Sequence, residues 1–228
     1  GRVFGVEALL RWPHAVYGRI PPPVIIAIAE EAGLIREVGK WVLAHACLQL
    51  ETWKQTGINN LRMSVNASVM QVRNGSLATD VAMAIQFHGL SAGELEVEIT
   101  ENFALCCNRT TAEVFEQLHA LGARIAIDDF GDGYSSIQYL KTFSIDTLKI
   151  DRSLSIGVDE HKGTQEVIAS IAALCASLQI EIIVEYVESE RQRNILQQLG
   201  CSQFQGYLYS AALPASAAAD YIRQWNLR

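Results

Sequence analysis

The sequence predicts an α/β fold of the TIM-type (β/α)8-like barrel class, in a single domain over residues 1–228. Short apolar runs alternate with segments of helical periodicity and short connections join them, which favours parallel βα units. Polar side chains stand at the ends of these runs, as they do at the catalytic face of a TIM barrel. The chain is 50% hydrophobic and long enough for one barrel domain or two small ones, and no linker divides it.

Seven apolar runs are predicted to be strands. The first, Val3 to Leu10, is interrupted by Glu7 alone, and the second, Leu61 to Val65, alternates apolar and polar residues. Seven strands are one short of a closed barrel, so an eighth was either overlooked or lies upstream of Gly1. The other five runs cover Leu95 to Ile99, Ile125 to Ile127, Thr147 to Asp151, Ile180 to Val184 and Ser202 to Gln205.

Predicted helices connect these strands. The longest runs from Glu37 to Gln55, and its residues Val38, Trp41, Val42 and Leu48 fall largely on one face, which is expected to be core. The others cover Val24 to Glu31, Leu77 to Phe87, Thr110 to Leu121, Ser136 to Lys141, Gly163 to Leu178, Ser189 to Leu199 and Ala215 to Trp225.

Two adjacent carboxylates, Asp128 and Asp129, end the fourth strand and pass into a glycine-containing loop. Neighbouring side chains of a strand point to opposite faces, so both can serve one site only if the strand stops about here. Paired carboxylates repel unless cations lie between them, which indicates a divalent-metal site; the alternative is a solvated acidic turn. A helix-loop-helix calcium site is excluded, because Phe130 and Tyr139 occupy positions that need an oxygen ligand and a glutamate.

Further polar residues lie at or near the ends of other predicted strands. Taken singly, Glu7 could be an edge residue, Asn66 a helix cap and Lys149 a snorkelling lysine. Together, carboxylates and an amide oxygen are the ligands that Mg²⁺ or Mn²⁺ prefers, and two such ions can activate water against a phosphodiester. The residues are Glu7, Asn66, Glu98, Lys149, Glu185 and Gln205.

Composition excludes several classes of protein. The net charge of −7 and the pI near 5.3 argue against DNA or RNA as a main partner. Five cysteines without a C-x-x-C pair indicate reduced thiols, with core packing as their expected role, and five histidines show no zinc-binding spacing. Because no apolar run reaches the length of a membrane span, no membrane contact is expected from this chain.

On these residues the chain resembles the EAL domain, the cyclic di-GMP phosphodiesterase family, named for the motif found here as Glu7-Ala8-Leu9. Ordered matches cover nearly the whole sequence. They are A-E-E-A-G-L-I at 29–35, W-V-L-A-H-A-C at 41–47, S-V-N-A-S at 64–68, E-V-E-I-T-E at 96–101, D-D-F-G-D-G-Y-S-S at 128–136, L-K-I-D-R-S at 148–153, V-E-Y-V-E at 184–188 and Q-G-Y at 205–207.

The resemblance implies hydrolysis of cyclic di-GMP to linear pGpG by water activated on two Mg²⁺ or Mn²⁺ ions. Lys149 and Glu185 would be catalytic, Glu185 as the proton acceptor, while Glu101 would support the loop after Asp129. The implied metal ligands are Glu7, Asn66, Glu98, Asp128, Asp129 and Glu185. The implied substrate-binding residues are Arg11, Asp151, Glu188, Gln205 and Tyr207.

Three departures from the family pattern bear on activity. Tyr186 replaces the glycine of A-E-G-V-E; it strains the backbone if φ is positive there and otherwise narrows the pocket. Ala211 and Ala212 replace a basic residue and a proline. The family's first strand, with its Y-Q-P motif, would precede Gly1. These changes keep open a catalytically weak or inactive domain that acts as a cyclic di-GMP receptor or interaction module. A third alternative is an unrelated barrel enzyme with Lys149 as a base.

The resemblance also bears on the protein around this domain. Family members commonly follow a sensory or cyclase-like segment, and some form homodimers. A cytoplasmic domain is therefore expected, with upstream segments as the route by which it could be tethered to the inner membrane.

Overall fold

The computed structural model describes residues 1–101, 109–131, 140–141 and 143–227. Its contacts divide the chain into two compact units. The first comprises Gly1–Glu98, Asn108–Arg124 and Pro214–Arg228, and the second comprises Ile99–Cys107 and Ile125–Leu213. The single domain predicted from the sequence stays a prediction.

The first unit contains a parallel sheet and an antiparallel hairpin. In the sheet, β4 lies between β1 and β5, and Gly5 pairs with Arg62 and Asn66 with Glu98. The strands are β1 (Gly5–Ala8), β2 (Trp12–His14), β3 (Gly18–Ile20), β4 (Arg62–Asn66) and β5 (Leu95–Thr100), which enters the second unit after Glu98. The helices are α1 (Pro22–Glu31), α2 (Ile35–Gln55), α3 (Val69–Arg73), α4 (Ser76–His88), α5 (Arg109–Ala120) and, at the end of the chain, α9 (Ala215–Asn226).

The second unit contains four consecutive parallel strands. They pair in the order β6-β7-β8-β9, and helices follow or connect them. The strands are β6 (Arg124–Phe130), which lies in this unit from Ile125, β7 (Thr147–Ile150), β8 (Glu181–Val184) and β9 (Gln203–Phe204). The helices are α6 (Arg152–Ser155), α7 (Lys162–Leu178) and α8 (Glu190–Gln198).

All seven predicted strands are present, so the strand pattern is confirmed. The β2–β3 hairpin and the short helices α3 and α6 were not predicted. Ser68 begins α3 through a capping box with Gln71, and Asp151 caps α6. The predicted helix from Ser136 to Lys141 lies mostly outside the described residues. An eighth strand upstream of Gly1 stays a prediction.

The buried face of α2 is not the predicted one. Trp41 and Leu48 are 53% and 50% exposed, and the Trp41 ring lies 3.9 Å from the His45 ring between centroids. The buried residues share an i, i+3, i+4 spacing that includes the small Ala46 and Cys47. They are Ile35, Leu43, Ala46, Cys47, Leu50 and Trp53.

The core of the second unit is built from its strand interiors and the inner faces of its helices. Ile127, Leu148, Ile150 and Val184, from three neighbouring strands, are fully buried. Ile168 of α7 packs into the same cluster. The interiors of these strands are mostly apolar, and the adjacent carboxylates Asp128 and Asp129 lie near the carboxyl end of β6.

A buried ion network ties the strands of the first unit together. Glu96 of β5 is 0% exposed and lies 3.1 Å from the Arg62 guanidinium and 3.3 Å from that of Arg124. The Ser64 hydroxyl donates a third contact, 3.0 Å to Glu96 Oε1. A carboxylate surrounded in this way has its charge balanced by its own neighbours, which makes it a structural group.

Candidate functional site

Three of the predicted metal ligands come together in the first unit. Asn66 ends β4 opposite Glu98 of β5, and Glu7 lies on the neighbouring β1. The Asn66 amide nitrogen donates to Glu7 Oε1 at 2.8 Å and to Glu98 Oε2 at 3.3 Å. A half-turn of this amide would present its oxygen to a cation held by the two carboxylates.

A β-bulge arranges the ligands of the second unit. Ile127 pairs with Leu148 and Phe130 with Ile150, so Asp128 and Asp129 together oppose the single residue Lys149. Asp129 has a φ of 55°, a left-handed conformation that aspartate tolerates. The strand ends at Phe130, one residue beyond the pair, and the bulge within it lets the neighbouring carboxylates serve one cluster.

The bulge completes a cluster with Glu185, which follows β8. Oxygen atoms of Asp128, Asp129 and Glu185 all lie within 4.8 Å of one another. The Lys149 ammonium is 3.0 Å from Asp128 Oδ1 and 3.0 Å from Glu185 Oε1, and the residue is only 1% exposed. Lys149 thus holds one positive charge among three carboxylates.

This cluster fits a divalent cation. Asp128 Oδ1 is buried and, although close to the Lys149 ammonium, it takes part in no hydrogen bond of acceptable geometry. Three carboxylates and one ammonium leave a need for about two further positive charges, which Mg²⁺ or Mn²⁺ would supply through oxygen ligands.

Glu101 is buried behind the bulge. Its Oε2 accepts a hydrogen bond of 2.9 Å from the Gly131 N–H, which begins the loop after Phe130. This is the contact expected of a loop-supporting residue. The rest of that loop lies outside the described residues.

The predicted substrate-binding residues lie in different settings. Arg11, in the first unit, is exposed and donates to the Leu10 carbonyl at 2.8 Å. In the second unit Glu188 and Tyr207 are exposed and Gln205 is half-buried. Asp151 follows β7 and accepts a hydrogen bond of 2.7 Å from the Ser153 N–H.

The position of Gln205 and Tyr207 depends on the glycine between them. The Val187 N–H donates to the Gln205 carbonyl, and the Leu208 N–H donates back to Val187, each at 3.0 Å. Gly206 has a φ of 155°, and a Cβ there would collide with the Val187 carbonyl and nitrogen. Only glycine allows this close approach of the two segments.

Tyr186 adopts a positive φ, whose sign the sequence alone did not decide. Its φ is 55°, which costs a residue with a side chain about 1–3 kcal/mol. The pKa of the phenol is raised above its ordinary value, first by burial and then by the negative charges of Glu185, Asp151, Asp129 and Asp128. The phenol is therefore within electrostatic reach of the carboxylate cluster.

The pKa of the Asp151 carboxyl moves in the opposite direction. Burial opposes the charged form, but hydrogen bonds from Ser153 and Arg152 and the positive charge of Arg152 outweigh it and lower the pKa. Asp151 is therefore held as a carboxylate.

The described cysteines have the predicted core role. Cys47, Cys175 and Cys201 are free and buried. Burial raises their pKa values to about 12, 11 and 11, so the unreactive thiol form predominates at neutral pH. Cys106 and Cys107 lie outside the described residues.

The sequence also matches a family model, described as EAL domain, over residues 1–212. The chain belongs to the EAL domain family. Among curated relatives, the bifunctional diguanylate cyclase/cyclic di-GMP phosphodiesterase MucR of Pseudomonas aeruginosa is 39% identical over 94% of this chain and 31% of its own. The cyclic di-GMP phosphodiesterase NbdA of the same organism is 35% identical over 99% of this chain and 29% of its own.

This EAL domain therefore spans about a third of the length of those two relatives. A solved structure described as "PaMucR Phosphodiesterase, c-di-GMP complex" aligns with a TM-score of 0.89 at 38% identity, over 96% of this chain and 88% of that one. The match confirms the predicted fold class. No helix among the described residues is long and apolar enough to cross a membrane.

Proposed function

We propose that this EAL domain is a metal-dependent phosphodiesterase that hydrolyses cyclic di-GMP to linear pGpG. The observation that carries the proposal is the cluster of Asp128, Asp129 and Glu185 around the buried Lys149 ammonium. The names of MucR and NbdA, which include cyclic di-GMP phosphodiesterase activity, support the substrate.

Two Mg²⁺ or Mn²⁺ ions are proposed as cofactors. When bound, such cations lower the pKa of water and polarise a phosphodiester. The proposed ligands in the first unit are Glu7, Asn66 and Glu98, and those in the second are Asp128, Asp129 and Glu185.

The chain's own groups supply the remaining chemistry. The Lys149 ammonium, held in place by Asp128 and Glu185, stabilises negative charge that develops on the scissile phosphate. A Glu185 oxygen accepts the proton of the attacking water. Arg11 binds a substrate phosphate, because a guanidinium can donate two parallel hydrogen bonds to a phosphate group. Asp151, Glu188, Gln205 and Tyr207 are proposed to contact the rest of the dinucleotide.

The test compares one ligand from each unit. Purified protein with Mg²⁺ should convert cyclic di-GMP to pGpG, followed by chromatography. Glu7→Gln and Asp128→Asn should each reduce turnover by at least about a hundredfold, because each removes a charged ligand. Glu116→Gln, an exposed residue of α5, is the matched control and should keep full activity.

Two results would contradict this mechanism. Full activity in either variant would remove the substituted residue from the proposed mechanism. Equal turnover with Ca²⁺ and Mg²⁺ would also contradict it, because Ca²⁺ prefers looser geometry and longer ligand distances.

A cyclic di-GMP receptor is the second candidate. Tyr186 favours it, because a strained tyrosine stands next to Glu185 where the family pattern has a glycine. Binding of cyclic di-GMP without turnover at every Mg²⁺ and Mn²⁺ concentration would decide for the receptor.

The wider setting is also proposed. The greater length of the relatives supports a sensory or cyclase-like domain elsewhere in the protein, in a cytoplasmic signalling role. A homodimer stays a prediction, which sedimentation of the purified protein would test.

A further inference from the structure

The backbone at Tyr186 is fixed from both sides. The preceding Glu185 N–H donates to the Ile150 carbonyl at 3.0 Å, and the following Val187 N–H donates to the Gln205 carbonyl at 3.0 Å. With its neighbours held by two different strand ends, Tyr186 takes up the left-handed φ of 55° between them. The surrounding structure therefore imposes this conformation, as is required for a strained residue to persist.

Packing does not explain a tyrosine at this position. Glu185 and Val187 are 8% and 2% exposed, whereas Tyr186 is 50% exposed. A large aromatic ring that is half in water gains little from burial, and glycine would avoid the backbone strain. Strained residues of this kind cluster at functional sites, where a role in binding or catalysis, rather than burial, accounts for the side chain.

The surroundings of the ring restrict what it can bind. The carboxylates of Asp128, Asp129 and Glu185 cluster together, and Tyr186 directly follows Glu185, so negative charges lie close to this residue. They disfavour an anionic group against the ring unless cations intervene, but they do not repel the neutral face of a nucleobase. Every base has a π-face, so any base can stack on an aromatic side chain.

We propose that Tyr186 is a substrate-binding residue whose ring stacks on one guanine base of the substrate while cations held by the neighbouring carboxylates face its phosphate. The inference rests on the proposed function, since the base belongs to cyclic di-GMP. The backbone of Tyr186 is already fixed before binding, so little backbone freedom is lost on stacking.

The experiment measures binding separately from turnover. Cyclic di-GMP is titrated calorimetrically in Ca²⁺, where slow hydrolysis leaves the complex intact. Tyr186→Phe keeps the ring and should bind within about twofold of the wild type. Tyr186→Leu keeps the Cβ and the strained backbone but loses the aromatic face, and it should bind about tenfold more weakly, a loss of about 1.4 kcal/mol.

A control and a third variant separate stacking from a structural role. Phe87→Leu removes another exposed aromatic ring, at the end of α4, and should bind as the wild type does. Tyr186→Gly should raise Tm because the strain is relieved, and yet weaken binding as much as Tyr186→Leu does. A merely structural tyrosine would change stability without changing affinity.

The outcomes distinguish this inference from the proposed function. Wild-type affinity in Tyr186→Leu overturns stacking, even if the protein hydrolyses cyclic di-GMP in Mg²⁺. Ring-dependent binding without hydrolysis in Mg²⁺ or Mn²⁺ supports stacking while it overturns the proposed hydrolysis.

Discussion

Two buried carboxylates in this molecule have opposite surroundings. Glu96, in the first unit, is approached by two arginines and a serine hydroxyl. Asp128, in the second, shares the Lys149 ammonium with other carboxylates and keeps a buried oxygen without a hydrogen bond. The first is neutralised by the fold, whereas the second remains able to take up a cation. Burial of a carboxylate therefore indicates function only when its neighbours leave its charge uncompensated.

The largest expected effect is that of replacing Glu96, whose charge is balanced by its neighbours. Glu96→Gln should lower the free energy of unfolding by about 3–5 kcal/mol, because it leaves Arg62 and Arg124 mostly buried, with side chains 14% and 21% exposed, without their carboxylate. Urea unfolding measures the change. Glu116→Gln, at an exposed position, should shift the urea midpoint little. An equally small shift in Glu96→Gln would contradict the structural role of Glu96.

At Asp128, whose charge is not fully balanced, the stability of the protein should instead depend on bound cations. Wild-type protein should gain about 2.7 kcal/mol of stability when Mg²⁺ is at one hundred times its Kd, and Asp128→Asn should lose most of this gain. Thermal unfolding with and without Mg²⁺ measures the difference. Asp220→Asn, on the exposed side of α9, should keep the full gain. An undiminished Mg²⁺ effect in Asp128→Asn would remove Asp128 from the metal site.

Asp151 extends the comparison to a carboxylate whose charge is stabilised by backbone N–H groups. Asp151→Ala should cost about 1 kcal/mol at neutral pH through loss of the α6 cap. The folded-state pKa is lowered, so this stabilisation is present above the unfolded pKa near 4 and is lost as pH falls through the folded pKa. Urea unfolding from pH 7 downward checks it. Asp151→Asn, which keeps a capping oxygen, should lose less at pH 7.

Tyr186 gives the smallest expected effect. Tyr186→Gly should raise the free energy of unfolding by about 0.5–1 kcal/mol, because relief of the left-handed strain exceeds the extra flexibility that glycine gives the unfolded chain. Tyr186→Ala keeps the Cβ and should gain much less. Equal stabilisation by both substitutions would show that the ring, rather than the backbone conformation, carries the strain.

The regular strands could be predicted because burial on both faces makes them continuous apolar runs. Ile180 to Val184 was predicted within one residue of β8, Glu181–Val184. The β2–β3 hairpin was missed because its three-residue strands are largely exposed and show no periodicity. The helices α3 and α6 are also too short for a helical period, and only their caps, Ser68 and Asp151, could have revealed them.

The buried face of α2 was chosen wrongly for a related reason. Apolar residues lie around much of this helix, and large side chains such as Trp41 dominated the sequence pattern. In the structure the small Ala46 and Cys47 lie in the buried stripe. Small side chains allow neighbouring elements to pack closely, so burial does not depend on side-chain size alone.

The carboxylates of the candidate site could be recognised because each falls at or near a predicted strand end. How Asp128 and Asp129 share one cluster could not, because neither residue marks a bulge in a sequence. The extra residue is visible only in the pairing with β7, where both face Lys149. Likewise, the sequence left the backbone of Tyr186 undecided, and its hydrogen-bonded neighbours fix it in the left-handed region.

Gly206 shows how much of this arrangement depends on a missing side chain. A single methyl group there would push the chain at Gln205 off Val187, and with it the carbonyl that fixes the residue after Tyr186. Gln205, Tyr207 and Tyr186 would then shift together, although Asp128 and Asp129 lie on a different strand, β6. The placement of three residues that are proposed to bind the substrate thus depends on a position without a side chain.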